Sequence, residues 1–194
     1  MAEAKRIYVI AGPNGAGKTT TALSLDPNIL KFYEFINADD IARALAPLHP
    51  ESMALTASKL MIKRLRELLD ANKSFAFETT AAGTNYIKYL KEAKGKNYEI
   101  NLIFLWLENP DLAVERVAKR VAQAGHHIPK ETIRRRYRLG QINLIKYYLP
   151  IADHALILDN SYIESRNVIA EGSKNRLIIR IPHIWKSIQG TLNA

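Results

Sequence analysis

Residues 12–19 match a complete phosphate-binding loop of the G-x-x-x-x-G-K-[ST] type. An apolar run at 7–11 precedes the loop and a helix-compatible stretch at 19–25 follows it. In such a loop the backbone N–H groups surround phosphate oxygens, and the helix N-terminus adds partial positive charge. Lys18 is expected to reach the β- and γ-phosphates, and the Thr19 hydroxyl to hold Mg²⁺. The predicted phosphate-binding residues are Gly12, Pro13, Asn14, Gly15, Ala16, Gly17, Lys18, Thr19 and Thr20.

The composition limits how the chain can be organised. With 194 residues it is long enough for one full core, so we expect a single domain over residues 1–194. The absence of cysteine excludes a disulfide framework and a thiolate metal site. No apolar run approaches the ~18 residues of a membrane span, and the first predicted strand starts too early for a signal peptide. We therefore expect a cytoplasmic protein without a membrane partner.

Apolar runs typical of buried strands alternate with helical patterns along the chain. The predicted strands are 7–11, 34–37, 74–78, 98–107 and 155–159, and the predicted helices are 19–25, 51–71, 84–94, 109–123 and 130–148. Further on, the runs at 168–170 and 177–181 predict a C-terminal β-hairpin, followed by a last short helix. Near-continuous apolar strands separated by helices indicate an α/β fold of three layers, with a mostly parallel central sheet covered on both faces.

Positive charge is concentrated in one segment. The chain has a net charge of +9, and residues 116–138 contribute +7 through eight basic residues and one acidic residue. A helix, the break Gly125-His126-His127-Ile128-Pro129 and a second helix make this segment a plausible lid over phosphates. Arg116 and Arg120 lie one turn apart, whereas Arg134 and Arg136 flank the apolar face of the second helix and Arg135 is predicted to point toward solvent. The alternative is a solvated basic helix face.

Three polar clusters fall at the predicted carboxyl ends of strands, where ligands bind in folds of this class. They are Asn37/Asp39/Asp40, Glu78/Thr79/Thr80 and Asp159/Asn160/Ser161. Asp39 or Asp40 could alternatively serve only as the N-cap of the segment that follows. Three such clusters around one phosphate loop favour a common site.

The residues resemble the zeta toxin kinase family, and within it the compact standalone branch. The resemblance covers about residues 7–161 and is carried by an ordered set of five motifs: 11–20, 37–42, 77–80, 116–137 and 159–161. It implies a P-loop kinase fold with a helical lid over about 116–138. It also implies the cofactors ATP and Mg²⁺. The toxin members of the family phosphorylate UDP-N-acetylglucosamine, which makes a UDP-amino sugar a candidate small-molecule acceptor and an antitoxin protein a candidate partner.

Carried over by position, the resemblance implies a role for each matched side chain. Lys18 and Thr19 match the phosphate-loop residues, and Asp39 matches the base that activates the acceptor hydroxyl. Glu78 matches a substrate-binding carboxylate, and Arg120 with Arg136 resembles the arginine pair that clamps the transferring phosphate. Arg134 and Arg135 compete with Arg136 in the alignment. The remaining implied acceptor-binding residues are Arg43 and Thr79.

Two other functions remain open from the sequence. A kinase of related architecture could phosphorylate a different small molecule, such as adenylylsulfate or chloramphenicol. A nucleotide-dependent switch or nucleic-acid-binding ATPase could instead use the basic segment on a polymer, with Glu78 activating water. The chain lacks room for a coupling domain, so nucleic acid is not the expected partner. The Asp159-Asn160-Ser161 segment is interpreted as a turn that closes around the adenine or the lid.

Overall fold

The computed structural model describes residues 4–24, 34–122, 128–162, 165–173 and 176–192. Leu25, predicted to end the first helix, and Gly125, His126 and His127 of the predicted break lie outside these ranges. The strands are β1 (Arg6–Ala11), β2 (Glu34–Ile36), β3 (Phe75–Thr79), β4 (Glu99–Trp106), β5 (His154–Tyr162), β6 (Ser165–Ser173) and β7 (Arg176–Ile179). The helices are α1 (Lys18–Ser24), α2 (Ala38–Leu45), α3 (Ala54–Asp70), α4 (Ile87–Gly95), α5 (Pro110–Ala122), α6 (Lys130–Asn143) and α7 (Pro182–Gly190).

The strands form one sheet in the order β2-β3-β1-β4-β5-β6-β7. Neighbours from β2 to β5 pair in parallel, whereas β6 is antiparallel to both β5 and β7. The predicted mostly parallel sheet and C-terminal β-hairpin are therefore confirmed. Because parallel strands end at the same edge, the ends of β1, β2 and β3 meet beside the loop that links β1 to α1.

The sheet is covered on both faces, as its apolar strands predict. Along β4, Phe104 and Trp106 belong to one apolar cluster, and Ile103 and Leu105 belong to another on the opposite face. The first cluster includes residues of α3, α4 and α7, and the second includes residues of α5 and α6. Ala57, Met61, Leu65 and Leu68 recur in the sequence at helical spacing, which predicts one apolar face, and all four are buried on the inner face of α3.

Three boundaries differ from the predicted ones. The helix α2 begins at Ala38, where the sequence suggested only the end of a strand, because Asn37 caps it and two acidic residues occupy its first turn. The long helix predicted over 130–148 changes to π geometry at Leu144–Tyr148 and continues as Leu149–Ile151. Asp159, Asn160 and Ser161 lie inside β5 rather than in a turn. No described helix is long and apolar enough to cross a membrane.

Candidate active site

The phosphate loop joins β1 to the N-terminus of α1, and its glycines are required by geometry. Gly12 has φ +143° and a side chain there would collide with the backbone carbonyl of Leu105. Gly15 has φ +77°, and an added Cβ would lie 2.9 Å from the carbonyl oxygen of Ala113. Larger residues at these positions would therefore displace the loop from β4 and α5. The loop is closed by a hydrogen bond from the Ala16 N–H to the Pro13 carbonyl at 3.2 Å.

Lys18 is buried at the start of α1, with 6% of its surface exposed. Its Nζ donates a hydrogen bond to the Pro13 carbonyl at 3.0 Å and lies 3.5 Å from Glu78 Oε1. Burial lowers the pKa of Lys18, and the nearby carboxylates of Glu78 and Asp39 partly oppose that effect. A polyphosphate in the loop would add further negative charge beside this buried ammonium and so favour its charged form.

A cluster of oxygen-bearing side chains lies beside Lys18. The Thr19 hydroxyl donates to Glu78 Oε2 at 2.7 Å, and Asn37 Nδ2 donates to the same carboxylate oxygen at 3.1 Å. Hydroxyl and carboxylate oxygens are the ligands that Mg²⁺ prefers, so Thr19 and Glu78 suit that ion. Groups of three or more His, Cys, Asp or Glu that could hold a metal are absent from the described residues. Mg²⁺ commonly binds through one or two protein oxygens together with substrate phosphates and water.

Asp39 lies in the first turn of α2 and faces the cleft. Asn37, not Asp39 or Asp40, is the N-cap, since its Oδ1 accepts a hydrogen bond from the Asp39 backbone N–H at 2.8 Å. The alternative interpretation of the two acids as N-caps is therefore wrong. Asp40 pairs with Arg43 at 3.0 Å on the exposed side of the helix. Arg43 also lines the cleft.

Arg120 of α5 and Arg136 of α6 both line the cleft, as predicted. Arg120 is exposed, whereas Arg136 is partly buried and donates a long hydrogen bond of 3.4 Å to the phosphate-loop side chain of Asn14. Burial lowers the pKa of Arg136, and the charge of Asp39 opposes this effect. A phosphate group bound beside Arg136, in addition to Asp39, would therefore stabilise the charged guanidinium.

Arg134 and Arg135, which precede Arg136 in α6, lie in different places. Arg135 is exposed, in agreement with its predicted direction toward solvent, and it also lines the cleft. Arg134 pairs with Asp111 at 2.6 Å and with Glu131 at 3.3 Å, outside the cleft.

Asn160 and Arg116 brace the phosphate loop, a role that the sequence did not reveal. Asn160 Nδ2 donates to the carbonyl of Ala16 at 2.6 Å, and an added Cβ on Gly17 would lie 3.0 Å from that nitrogen. Arg116 donates to the carbonyls of Asn160 and Ser161 at 2.8 and 2.7 Å. These contacts replace the predicted turn around the adenine or lid, and Arg116 is thereby committed to β5 rather than grouped with Arg120.

These side chains surround a cleft of about 450 Å³. The predicted residues that line it are Asn14, Gly15, Lys18, Asp39, Arg43, Glu78, Thr79, Arg120 and Arg136. Of the others, Gly12, Pro13, Ala16, Gly17 and Thr19 belong to the loop behind it, and Thr20 is exposed on α1. Ser58, Asn85 and Tyr86 also line the cleft and were missed. Their sequence positions carry no motif, because only packing of α3 against the start of α4 brings them to the site.

The strand order and the phosphate loop after β1 define the class of this protein as a P-loop kinase fold. The zeta toxin family model matches residues 1–164. The chain belongs to the zeta toxin family. This membership confirms the resemblance inferred from the five motifs.

Individual proteins and structures show the same likeness. An uncharacterised protein of Haemophilus influenzae is 25% identical over 126 residues, which is 65% of this chain and 88% of that protein. The structure of the PezAT chromosomal toxin–antitoxin system of Streptococcus pneumoniae superposes with TM-score 0.66 at 16% identity, covering 100% of this chain and 87% of that one. A complex of AvrRxo1-ORF1 and -ORF2 with ATP gives TM-score 0.77 at 12% identity, covering 96% of this chain and 64% of that one. At these identities the two structures show a shared fold.

Proposed function

We propose that this protein is an ATP-dependent kinase that transfers the γ-phosphate of ATP to a hydroxyl group of a small molecule. The observation that carries the proposal is the convergence of Lys18, Asp39, Glu78, Arg120 and Arg136 on one cleft beside the phosphate loop. A phosphoryl-transfer enzyme mainly positions its substrates and neutralises charge, and this set contains the groups for both tasks. The chain is proposed to act as one domain over residues 1–194.

The contacts of the phosphate loop support an ATP site at one end of the cleft. The backbone N–H groups of the loop and the Lys18 ammonium would hold the β- and γ-phosphates. The Thr19 hydroxyl and the Glu78 carboxylate, 2.7 Å apart, would hold Mg²⁺, which neutralises phosphate charge when bound. This proposal places Glu78 at the cation, whereas the resemblance implies that Glu78 binds the acceptor. The hydrogen bond from Asn160 fixes the loop from behind, and Arg116 in turn holds the backbone of Asn160, so that little reorganisation is needed when ATP enters.

Asp39 is proposed as the base. Of the two adjacent acids it is the one that lines the cleft, since Asp40 is engaged by Arg43 at 3.0 Å. The Asp39 carboxylate would accept the proton of the acceptor hydroxyl as the new O–P bond forms and the bond to the leaving ADP breaks. Arg120 and Arg136 would stabilise the equatorial oxygens of the transferring phosphoryl group. Residues 116–138 are proposed to cover the phosphates as a lid.

The acceptor end of the cleft is polar, with one aromatic wall. Ser58, Thr80 and Asn85 offer hydrogen-bonding groups, and Tyr86 offers a ring against which a planar group can pack. A UDP-amino sugar, as used by the zeta toxins, has hydroxyls, a planar base and phosphates that match these surfaces. Family membership also supports an antitoxin protein as a partner.

The basic segment supports a small-molecule kinase over a polymer-binding ATPase. Arg116 is bound to backbone carbonyls, Lys119 pairs with Glu115 at 2.7 Å, and Arg134 pairs with Asp111. Three of the eight basic side chains of the segment are therefore already engaged by other parts of the fold. Arg120 and Arg136 point into the cleft, where they can contact a bound phosphate group but do not form a continuous outer track.

Transfer of labelled phosphate tests the proposal directly. The protein is incubated with γ-labelled ATP, Mg²⁺ and a small-metabolite extract, with UDP-N-acetylglucosamine as a separate single acceptor. The proposal expects a labelled small molecule that is absent without protein. ADP release that requires RNA or DNA, with no labelled metabolite, would contradict it and favour the polymer-dependent ATPase.

A further inference from the structure

Asn37 joins the Glu78 carboxylate to the backbone of Asp39 through a single side chain. It lies between β2 and α2 and is buried, with 9% of its surface exposed. Its Nδ2 donates to Glu78 Oε2 at 3.1 Å, and its Oδ1 accepts from the backbone N–H of Asp39 at 2.8 Å. One end of the amide therefore holds the Glu78 carboxylate, and the other end holds the backbone of the residue proposed as the base.

The sheet register explains why this residue can reach both groups. Ile36 of β2 is paired with Phe77 of β3 in the parallel ladder, so Asn37, which follows the end of β2, lies beside Glu78 within β3. The chain then turns directly into α2, whose first turn carries Asp39. Because β2 is short and ends here, the Asn37 side chain takes over the connection to β3 that the backbone no longer makes.

The chemistry at this position requires an amide of this length. An aspartate could cap α2 but would place a second negative charge against Glu78. A serine could also cap α2, but its hydroxyl is shorter than the two-bond reach of the amide and cannot both accept from Asp39 N–H and donate to Glu78. Since Glu78 Oε2 also accepts the Thr19 hydroxyl at 2.7 Å, the Asn37 amide helps to select which carboxylate lone pair remains for a cation.

We propose that Asn37 is a positioning residue that orients the Glu78 carboxylate beside Thr19 for Mg²⁺·ATP while it fixes the helix turn that carries Asp39. This inference rests on the proposed function, because it assigns Glu78 and Thr19 to a nucleotide-bound cation. It assigns Asn37 no contact with the reacting atoms. Its predicted influence therefore acts through Glu78, and that dependence can be measured.

The test is a double-mutant cycle between Asn37→Ser and Glu78→Gln, read out by ATP binding with Mg²⁺ and with EDTA. Serine keeps the helix cap, so the melting temperature of Asn37→Ser should stay within a few degrees of the wild type. A hydrogen bond to a charged group is worth roughly tenfold or more in an equilibrium constant. We expect Asn37→Ser to reduce by about tenfold the tightening of ATP binding that Mg²⁺ produces, with the Kd in EDTA unchanged.

The cycle distinguishes a positioning role from a structural one. In the Glu78→Gln background, Asn37→Ser should cause little further loss of the Mg²⁺ effect, because the group through which it acts is already altered. Additive losses, or an Asn37→Ser variant with the wild-type Mg²⁺ effect, would overturn the inference and leave Asn37 as a helix cap. Asn37→Ala, which loses the helix cap as well, should lower the melting temperature. The size of that decrease measures the contribution of Asn37 to stability.

The proposed function can fail separately. If the wild-type protein binds ATP with Mg²⁺ but labels no acceptor, the kinase proposal fails and the cycle still decides the role of Asn37. If Mg²⁺ does not tighten ATP binding in the wild type, the positioning role of Asn37 is overturned whatever the enzyme does.

Discussion

Substitution of Arg136 is expected to reduce activity without reducing stability. Arg136 is partly buried in the cleft, and its hydrogen bond to Asn14 is long at 3.4 Å. Burial lowers its pKa, which means that the free protein holds this cation at a cost. We therefore expect Arg136→Ala to leave the melting temperature unchanged or to raise it slightly. A guanidinium that is desolvated before the substrate arrives is the arrangement that electrostatic preorganisation requires.

The expected loss of activity follows from phosphoryl-transfer chemistry. An arginine on the transferring phosphate is worth roughly 10³-fold or more in turnover, or about 4 kcal/mol at 1.36 kcal/mol per factor of ten. Arg136→Ala should lose about this much in the rate of phosphate transfer. Arg136→Lys should recover only part of the loss, because an ammonium lacks the planar fork that contacts two oxygens at once.

Arg134→Ala is the matched control, because it removes the same side chain from the same helix outside the cleft. Arg134 is held by Asp111 and Glu131, so its loss should change turnover less than about twofold. Both variants are compared in single-turnover transfer from γ-labelled ATP and in thermal unfolding. Equal small effects of Arg134→Ala and Arg136→Ala on transfer would refute the assignment of Arg136 and return the segment to a solvated basic face.

Three further outcomes are expected elsewhere in the site and fold. Lys18→Ala should abolish measurable ATP binding in calorimetry while the folded state persists, and unchanged binding would refute the loop assignment. Asn160→Ala removes the 2.6 Å hydrogen bond to the phosphate loop, so it should lower the free energy of unfolding by about 1–2 kcal/mol. It should also weaken ATP binding, whereas the loss of a strand residue far from the loop should not. For Asp153, burial acts to raise the pKa, but the hydrogen bonds from the Ile100 N–H and Lys94 outweigh it and hold the pKa below the usual value. Its contribution is therefore present above the unfolded-state pKa and lost as pH falls through the folded-state pKa, and Asp153→Asn should flatten the acid limb of the stability curve measured in urea.

The features that the sequence predicted correctly are local ones. The phosphate loop depends on consecutive residues, and the apolar face of α3 depends on a repeat within one helix, so both could be predicted without knowledge of the fold. The N-cap was also visible in principle, since Asn37 is followed, after Ala38, by two acids in the first turn of the helix.

The features that it missed depend on contacts between distant segments. No periodicity distinguishes Arg134 from Arg136 by function, because the difference lies in Asp111 on one side and the phosphate loop on the other. Asn160 was expected near the adenine, but it supports Ala16, which is 144 positions away in sequence. Such pairings are set by the order of the strands in the sheet, and a single sequence contains no direct signal for them.

The most direct test of the central claim is the Asp39→Asn variant, measured for ATP binding and for phosphate transfer on the same preparation. Asparagine keeps the size and hydrogen-bonding capacity of the side chain but cannot accept the acceptor's proton. We predict nearly wild-type ATP affinity with transfer to the small-molecule acceptor abolished, and a milder effect of Asp40→Asn, whose carboxylate pairs with Arg43 instead. Transfer by Asp39→Asn at the wild-type rate would show that Asp39 is not the base and would contradict the proposed kinase mechanism.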